Sequence, residues 1–347
     1  MGVESRQREI DGSEVWRMSD ANAPSEGEVR AGARILALFA NPINPQVLRA
    51  HADGPLRLAG LQDRLGWAAS TTLRASLNNL RAIGALEKRK VGGSRFAVET
   101  ELTPMGADVI EVAAVLERWL TLAPGGPIAP DGDAAKGAVK ALAGAWGSTL
   151  MRALANKSFT LTELDRLIPG VSYPSLERRL ASMRATGQIE PVKAGGRGTP
   201  YVVTDWPRQS IAPLCASGRC ERRHLPDSAP ITAIEVEAAF MLSIPLAPLP
   251  PNANGTAMLV VKTDASPAAE QRSGRNLAGV TVEVENGEVV SCAARVEDGP
   301  PTWALGSPDT WLDVVIDGGL ERLRLGGSRP QLALDLVNGI HWALFGG

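Results

Sequence analysis

Residues 73–87, LRASLNNLRAIGALE, decide the fold, because they return 103 residues later as LERRLASMRATGQIE at 176–190. Leu73, Leu77, Leu80, Arg81, Gly84 and Glu87 map onto Leu176, Leu180, Met183, Arg184, Gly187 and Glu190. Upstream, Leu58 and Leu61 map onto Leu161 and Leu164. The middle of the chain is therefore two copies of one unit. In each copy the apolar residues recur at i, i+4 and i+7, the stripe of a helix that buries one face.

The flanks of both stretches match as well. Ser70, Thr71 and Thr72 are placed to cap the first long helix and Ser172 the second, with Pro174 tolerated in its first turn. Gly84 and Gly187 end the two helices. A shorter helix is expected before each, at 58–65 and 160–167, the second opened by the capping-box pattern TLTE at 160–163. After each come two short strands about a glycine tip. They are 86–91 and 95–100 about Gly92-Gly93, and 189–193 and 199–204 about Gly195-Gly196. Helix, turn, helix and a glycine-tipped hairpin describe a winged helix-turn-helix.

The remaining sequence frames these units. With 347 residues the chain has room for two or three domains. Residues 1–30 read as a disordered tail, 31–122 as winged helix-turn-helix 1, 123–133 as a Pro/Gly linker, 134–226 as winged helix-turn-helix 2, and 233–347 as a third domain. The net charge of −2 hides a segregation: 31–122 carry +3 and 134–226 carry +8, whereas 227–347 carry −8. A basic middle suits an anionic partner, and the acidic end suggests a different task.

Residues 233–347 change character. Alternating strands are expected at 256–262, 279–285 and 289–296, with Glu285-Asn286-Gly287-Glu288 as a hairpin turn. A strand at 302–305, a helix at 307–316, a short segment at 320–325 and an apolar helix at 329–345 follow. The expected fold class is thus multidomain α+β, with two winged helix-turn-helix domains in tandem followed by an antiparallel sheet with helices on one side.

The tandem units resemble the HxlR family of winged-helix regulators, within the wider MarR-like group. The resemblance is carried by LQDRL at 61–65, by 77–87, and by LTPMG at 102–106 leading to LERW at 116–119. In the second copy it rests on LDRL at 164–167, on 180–190, on VTDW at 203–206 and on CERRH at 220–224. Such family members carry one unit and dimerise, so two units in one chain imply a fused pseudo-dimer, acting as a monomer or as a further homodimer. The third domain resembles the sterol carrier protein type 2 fold, through Trp303–Leu305, the helix from Asp309, the Gly318-Gly319 step and the closing apolar helix. That resemblance implies a hydrophobic cavity, with Phe240, Met241, Met258, Trp303, Trp311, Leu336, Ile340, Trp342 and Phe345 as wall residues. An ordinary filled core is the competing expectation for the same side chains.

For the winged units the expected partner is double-stranded DNA. At 100° per residue, Thr71, Arg74, Ala75 and Asn78 fall opposite Leu73, joined at the helix start by Ser70 and Thr72. The second helix presents Pro174, Glu177, Arg178 and Ala181, flanked by Ser172, Tyr173, Ser175 and Arg179. Arg fits guanine and Asn fits adenine in the major groove. The hairpins add Lys88, Arg89, Lys90 and Arg95, and Lys193 and Arg197, suited to phosphates. The combined expectation is a ligand-responsive transcriptional repressor with a hydrophobic small-molecule effector in the third domain. The alternatives are a hydrophobic-metabolite or lipid carrier whose winged helices make protein contacts, and a constitutive DNA-binding protein whose third domain oligomerises.

Other chemistry finds little footing. No nucleophile elbow, Walker loop or dinucleotide fingerprint occurs, so the expectation is not an enzyme and no cofactor. Cys215, Cys220 and His224 offer three metal ligands without a clear fourth, so no metal is expected. No run of about 18 apolar residues suggests a membrane span. The polar, acidic N-terminus and three cysteines suggest a cytoplasmic protein.

Overall fold

The repeat of 73–87 at 176–190 becomes two runs of like elements. A computed structural model describes residues 30–66, 68–90, 98–143, 147–168, 171–192, 198–262, 277–296 and 302–346. Arg95, Lys193 and Arg197, with both glycine tips, lie outside the described residues. The first run is α1 (Ala33–Leu38), α2 (Ile43–Ala50), α3 (Leu58–Arg64), α4 (Ser70–Ala82), β1 (Leu86–Lys90), β2 (Val98–Leu102) and α5 (Pro104–Thr121). The second is α6 (Asp133–Ala143), α7 (Gly147–Leu154), α8 (Leu161–Leu167), α9 (Tyr173–Ala185), β3 (Ile189–Pro191), β4 (Tyr201–Val203), α10 (Asp205–Gln209) and α11 (Ile211–His224).

Both runs close by the same devices. The long helices α4 and α9 stop at Gly84 (φ 87°) and Gly187 (φ 74°), in the left-handed region that a Cβ disfavours. Thr103 Oγ1 donates to Gly84 O at 2.7 Å, and Thr204 Oγ1 donates to Gly187 O at 2.8 Å. Each hairpin is thereby clasped to the end of its long helix. A bridge residue also pairs with each hairpin, Leu56 opposite Thr100 and Phe159 opposite Tyr201.

The helix starts depart from the sequence expectation. Thr160 and Glu163 form the capping box of α8. The N-cap of α4, however, is Ala69, so Ser70, Thr71 and Thr72 lie inside the helix, where Ser70 Oγ accepts from Gln62 Nε2. Ser172 does occupy the N-cap of α9, but its hydroxyl donates to Ser175 Oγ at 3.0 Å instead of capping a main-chain amide. Pro174 at the second helical position removes one of the two amides such a cap would take.

The two runs are joined through helices. α5 lies along α11, and α1 packs on both α6 and α11. Trp119 of α5 and Trp206 of α10 stack face to face, with ring centroids 4.4 Å apart and planes 5° from parallel. Each indole N–H donates to the other residue's carbonyl at 2.9 Å. Arg34 grips Glu221 of α11 through Nε (2.8 Å) and its main-chain N–H (3.2 Å), with the Glu221 side chain fully buried. Before α1, Gly32 (φ 85°) backs onto α11 so closely that a Cβ there would lie 2.7 Å from Gly218 N.

The linker at 123–133 consequently does not divide the packing. Ala135, Ala138, Val139 and Leu142 of α6, assigned by sequence to the second unit, are buried in the first unit's core with Trp206 and Cys220. Leu164, Leu176, Leu180 and Met183 of the second unit in turn share one core with residues of the third region.

That region begins with α12 (Ala233–Ser243), a helix the sequence reading lacks because AIEVEAAFMLS is apolar almost all round and shows no helical period. The strands β5 (Gly255–Lys262), β6 (Leu277–Glu285), β7 (Glu288–Ala293), β8 (Thr302–Gly306) and β9 (Arg324–Gly327) form one sheet in the order β7-β6-β5-β8-β9. α13 (Pro308–Asp317) and α14 (Pro330–Phe345) complete it. The expected wholly antiparallel sheet is corrected: β5 and β8 run parallel, with Met258 opposite Trp303. β7 also points with β5, since both pair antiparallel with β6, so β5, β7 and β8 share one direction. The fold is mixed α+β with a five-stranded sheet and, among the described residues, no barrel. Among the described residues no helix is long and apolar enough to cross a membrane.

Candidate nucleic-acid interface

Burial of Leu73, Ser76, Leu77 and Leu80 turns the other face of α4 outward. Thr71, Thr72, Arg74, Ala75 and Asn78 are exposed on that face, and Ser70 is half-buried at its edge. Arg74 has no ion-pair partner among the described residues, and no carboxylate lies on α4. On β1, Lys88, Arg89 and Lys90 are exposed, Arg89 pairing with Glu101 at 3.3 Å. Asn78, Arg81 and Lys88 line one open groove of about 500 Å³ between the end of α4 and β1. Helix and hairpin thus offer cations and amides along one side of the unit, with the exposed Glu87 among them and Arg81 donating to Asn78 at 3.3 Å.

The corresponding face of α9 is poorer. Ser172, Tyr173, Glu177 and Arg178 are exposed and Ser175 is half-buried. Glu177 places a negative charge there. Arg178 lies back along its own helix, donating through Nε to Pro174 O and through Nη2 to Ser175 Oγ, both at 3.3 Å. Arg179 is a correction: it is half-buried and turns toward α6, donating through Nη2 to Ala141 O at 2.6 Å. Burial, with Arg30 nearby, lowers its pKa from the usual guanidinium value. Only 60° separates Arg179 from Leu176 on the helical wheel, and it stands where the first unit has the buried Ser76. That spacing was the signal that it turns inward.

Part of the +8 of residues 134–226 is likewise directed at neighbouring elements. Arg152 pairs with Glu237 of α12 at 2.8 Å. Arg219 pairs with Asp317, and Arg222 pairs with Asp309 of α13 at 2.8 Å. Arg208 donates to the carbonyls of Ala155 (2.6 Å), Leu242 (3.3 Å) and Met241 (3.4 Å). The opposite charges of the second and third regions therefore bind these regions to each other, and the basic surplus is not a measure of the surface left for an outside anion.

The nine side chains expected to wall a cavity in the third region divide differently. Met241, Met258, Leu336 and Ile340 are packed at 3 % exposure or less. Trp303 and Phe345 are half-buried, and Trp342 stands 64 % exposed on α14. Phe240 and Trp311 meet edge to face, centroids 4.8 Å apart at 81°. These two alone of the nine line a cleft of about 60 Å³, which lies not inside the sheet domain but between α11, α12 and α13. Leu214, Gly218, Val236 and Leu312 also line it. No pattern in the sequence separates these residues from ordinary core positions.

Cys215, Cys220 and His224 do not converge: among the described residues no three His, Cys, Asp or Glu side chains gather as metal ligands. Cys215 lines the cleft, Cys220 lies in the first core, and His224 Nε2 meets Asp108 Oδ2 at 2.8 Å. Burial pushes the thiols of Cys215, Cys220 and Cys292 up to about 12, so none is a thiolate near neutrality. No protein-family model matches the chain, and no curated protein matches it.

Proposed function

We propose that this chain is a DNA-binding transcriptional regulator, a repressor, whose two helix–hairpin units act as winged helix-turn-helix heads of a fused pseudo-dimer under the control of a hydrophobic small molecule. The observation that carries the reading is the exposed strip of the first unit: Thr71, Arg74, Ala75 and Asn78 on α4 beside Lys88 and Lys90 on β1, free of carboxylates on the helix. In a major groove, Arg74 suits guanine and Asn78 suits adenine, while the hairpin lysines suit phosphates. The helical junction of α1, α5, α6 and α11 joins the two units, as two-headed binding requires.

The heads are unequal, so the preferred site is an imperfect palindrome whose half-sites lie about one helical turn, roughly 34–36 Å, apart. For near-complete release of DNA the effector must favour the non-binding arrangement by about 10⁴-fold. The carrier reading draws less support, since seven of its nine wall residues do not line the cleft. Footprinting with selected duplexes across a salt series tests the proposal. A protected site of two contacts about one helical turn apart, weakening steeply with salt, supports it; a flat salt response with no protected sequence refutes it.

A further inference from the structure

We infer that the cleft between α11, α12 and α13 is a ligand site that takes a small, uncharged molecule with a single aromatic ring. Binding there stands by itself; that occupancy controls DNA rests on the reading above.

The walls specify the chemistry. Leu214, Val236 and Leu312 surround the edge-to-face pair of Phe240 and Trp311, an apolar and aromatic lining. Trp311 Nε1–H is already donated to Val260 O at 2.8 Å, so the indole offers the cleft only its carbon surface. The charged groups present cancel: Arg30 Nε pairs with Glu235 Oε1 at 3.2 Å, and the other carboxylate oxygen accepts from the Thr232 main-chain N–H at 2.8 Å. A ligand bearing net charge would lose its hydration and meet a cation already paired with Glu235. Burial pushes the Cys215 thiol in the wall up to about 12, so it adds no negative charge to the cleft near neutrality.

Room exists where a side chain is missing. Gly218 lies buried on α11 and lines the cleft, yet a Cβ built there meets no heavy atom within 4 Å. At about 60 Å³ the cleft exceeds what one water needs. It is smaller than the roughly 150 Å³ that encloses a benzene ring. A ring must therefore push α11 and α12 apart. α11 is fixed to the first unit by Arg34–Glu221 and by its packing on α5, whereas α12 is fixed to the second by Arg152–Glu237 and its packing on α7. Insertion between them alters the spacing of the two units.

Benzyl alcohol titrated into the DNA-free full chain by calorimetry tests the site, with benzoate as its charged counterpart and Gly218→Ala and Gly218→Leu as graded fillings. The expected result is one saturable site for benzyl alcohol and at least tenfold weaker benzoate binding. Gly218→Ala should bind benzyl alcohol a few-fold more weakly and Gly218→Leu at least tenfold more weakly, with melting temperatures confirming that both variants fold. Absence of saturable binding, a preference for benzoate, or equal binding by wild type and a folded Gly218→Ala would overturn the site. With the site confirmed, benzyl alcohol should weaken the footprint in wild type and not in Gly218→Leu. An unchanged footprint would overturn the control of DNA, and a chain that never footprints would overturn the proposed function while leaving the titration to decide the site.

Discussion

The first and second units share their main-chain closures and differ in what their side chains serve. Both end the long helix on a left-handed glycine, clasp it with a threonine hydroxyl, and add one bridge residue to the hairpin. Yet where the first unit has His51 the second has Leu154, and where the first has Ser76 the second has Arg179. The first unit leaves its long helix uncommitted outward, while the second directs Arg152, Arg179 and Arg208 into neighbouring elements. A duplicated scaffold holds its turns and caps because backbone geometry admits few substitutes. Its surfaces diverge because one copy must also carry a third region.

The largest effect is expected at the join. Trp119→Ala removes a buried ring, its stacking on Trp206 and the indole N–H donated to the Trp206 carbonyl, so unfolding by denaturant should lose about 3–5 kcal/mol in both units together. Loss confined to the first unit would show that the units fold independently. Next, Arg34→Ala leaves the Glu221 carboxylate buried with only a main-chain partner, at a cost of about 3 kcal/mol in the same measurement.

A smaller effect separates the units by pH. His51 Nδ1 lies 2.7 Å from Val47 O and Nε2 lies 2.7 Å from Thr100 Oγ1, and burial lowers its pKa from the ordinary 6.5. The unfolded chain therefore takes up this proton at a higher pH than the folded chain does. Stability from this residue is complete above 6.5 and falls as pH drops from there toward the lower folded value. Melting curves from pH 7 to pH 5 should show this decline in wild type and a shallower one in His51→Leu, which copies Leu154. Equal slopes would mean that His51 is not held neutral.

Much of the repeat was legible because it is local. Leu73, Leu77 and Leu80 define a helical stripe, Thr160 and Glu163 fix a helix start, and Gly84 and Gly187 mark two ends. What failed was set by distant partners. Arginine is ordinarily a surface residue, and the inward turn of Arg179 depends on partners distant in sequence, among them the carbonyl of Ala141, 38 positions away. The parallel pairing of β5 with β8 has no local signature, because it depends on where the crossing chain lands. Met258 and Leu336 read equally well as cavity wall or core, since hydrophobicity records burial and not vacancy.

The inequality of the two heads is tested most directly by mobility shifts on one footprinted duplex across a salt series, comparing wild type, Arg74→Ala, Arg178→Ala and Arg179→Ala. Arg74→Ala should weaken binding by about 5- to 100-fold, equivalent to roughly 1–3 kcal/mol, and relax the sequence preference of one half-site. Arg178→Ala should cost less, and Arg179→Ala should leave affinity unchanged while lowering the melting temperature. Unaltered binding by Arg74→Ala, or a larger loss from Arg179→Ala than from Arg74→Ala in folded protein, would contradict the account.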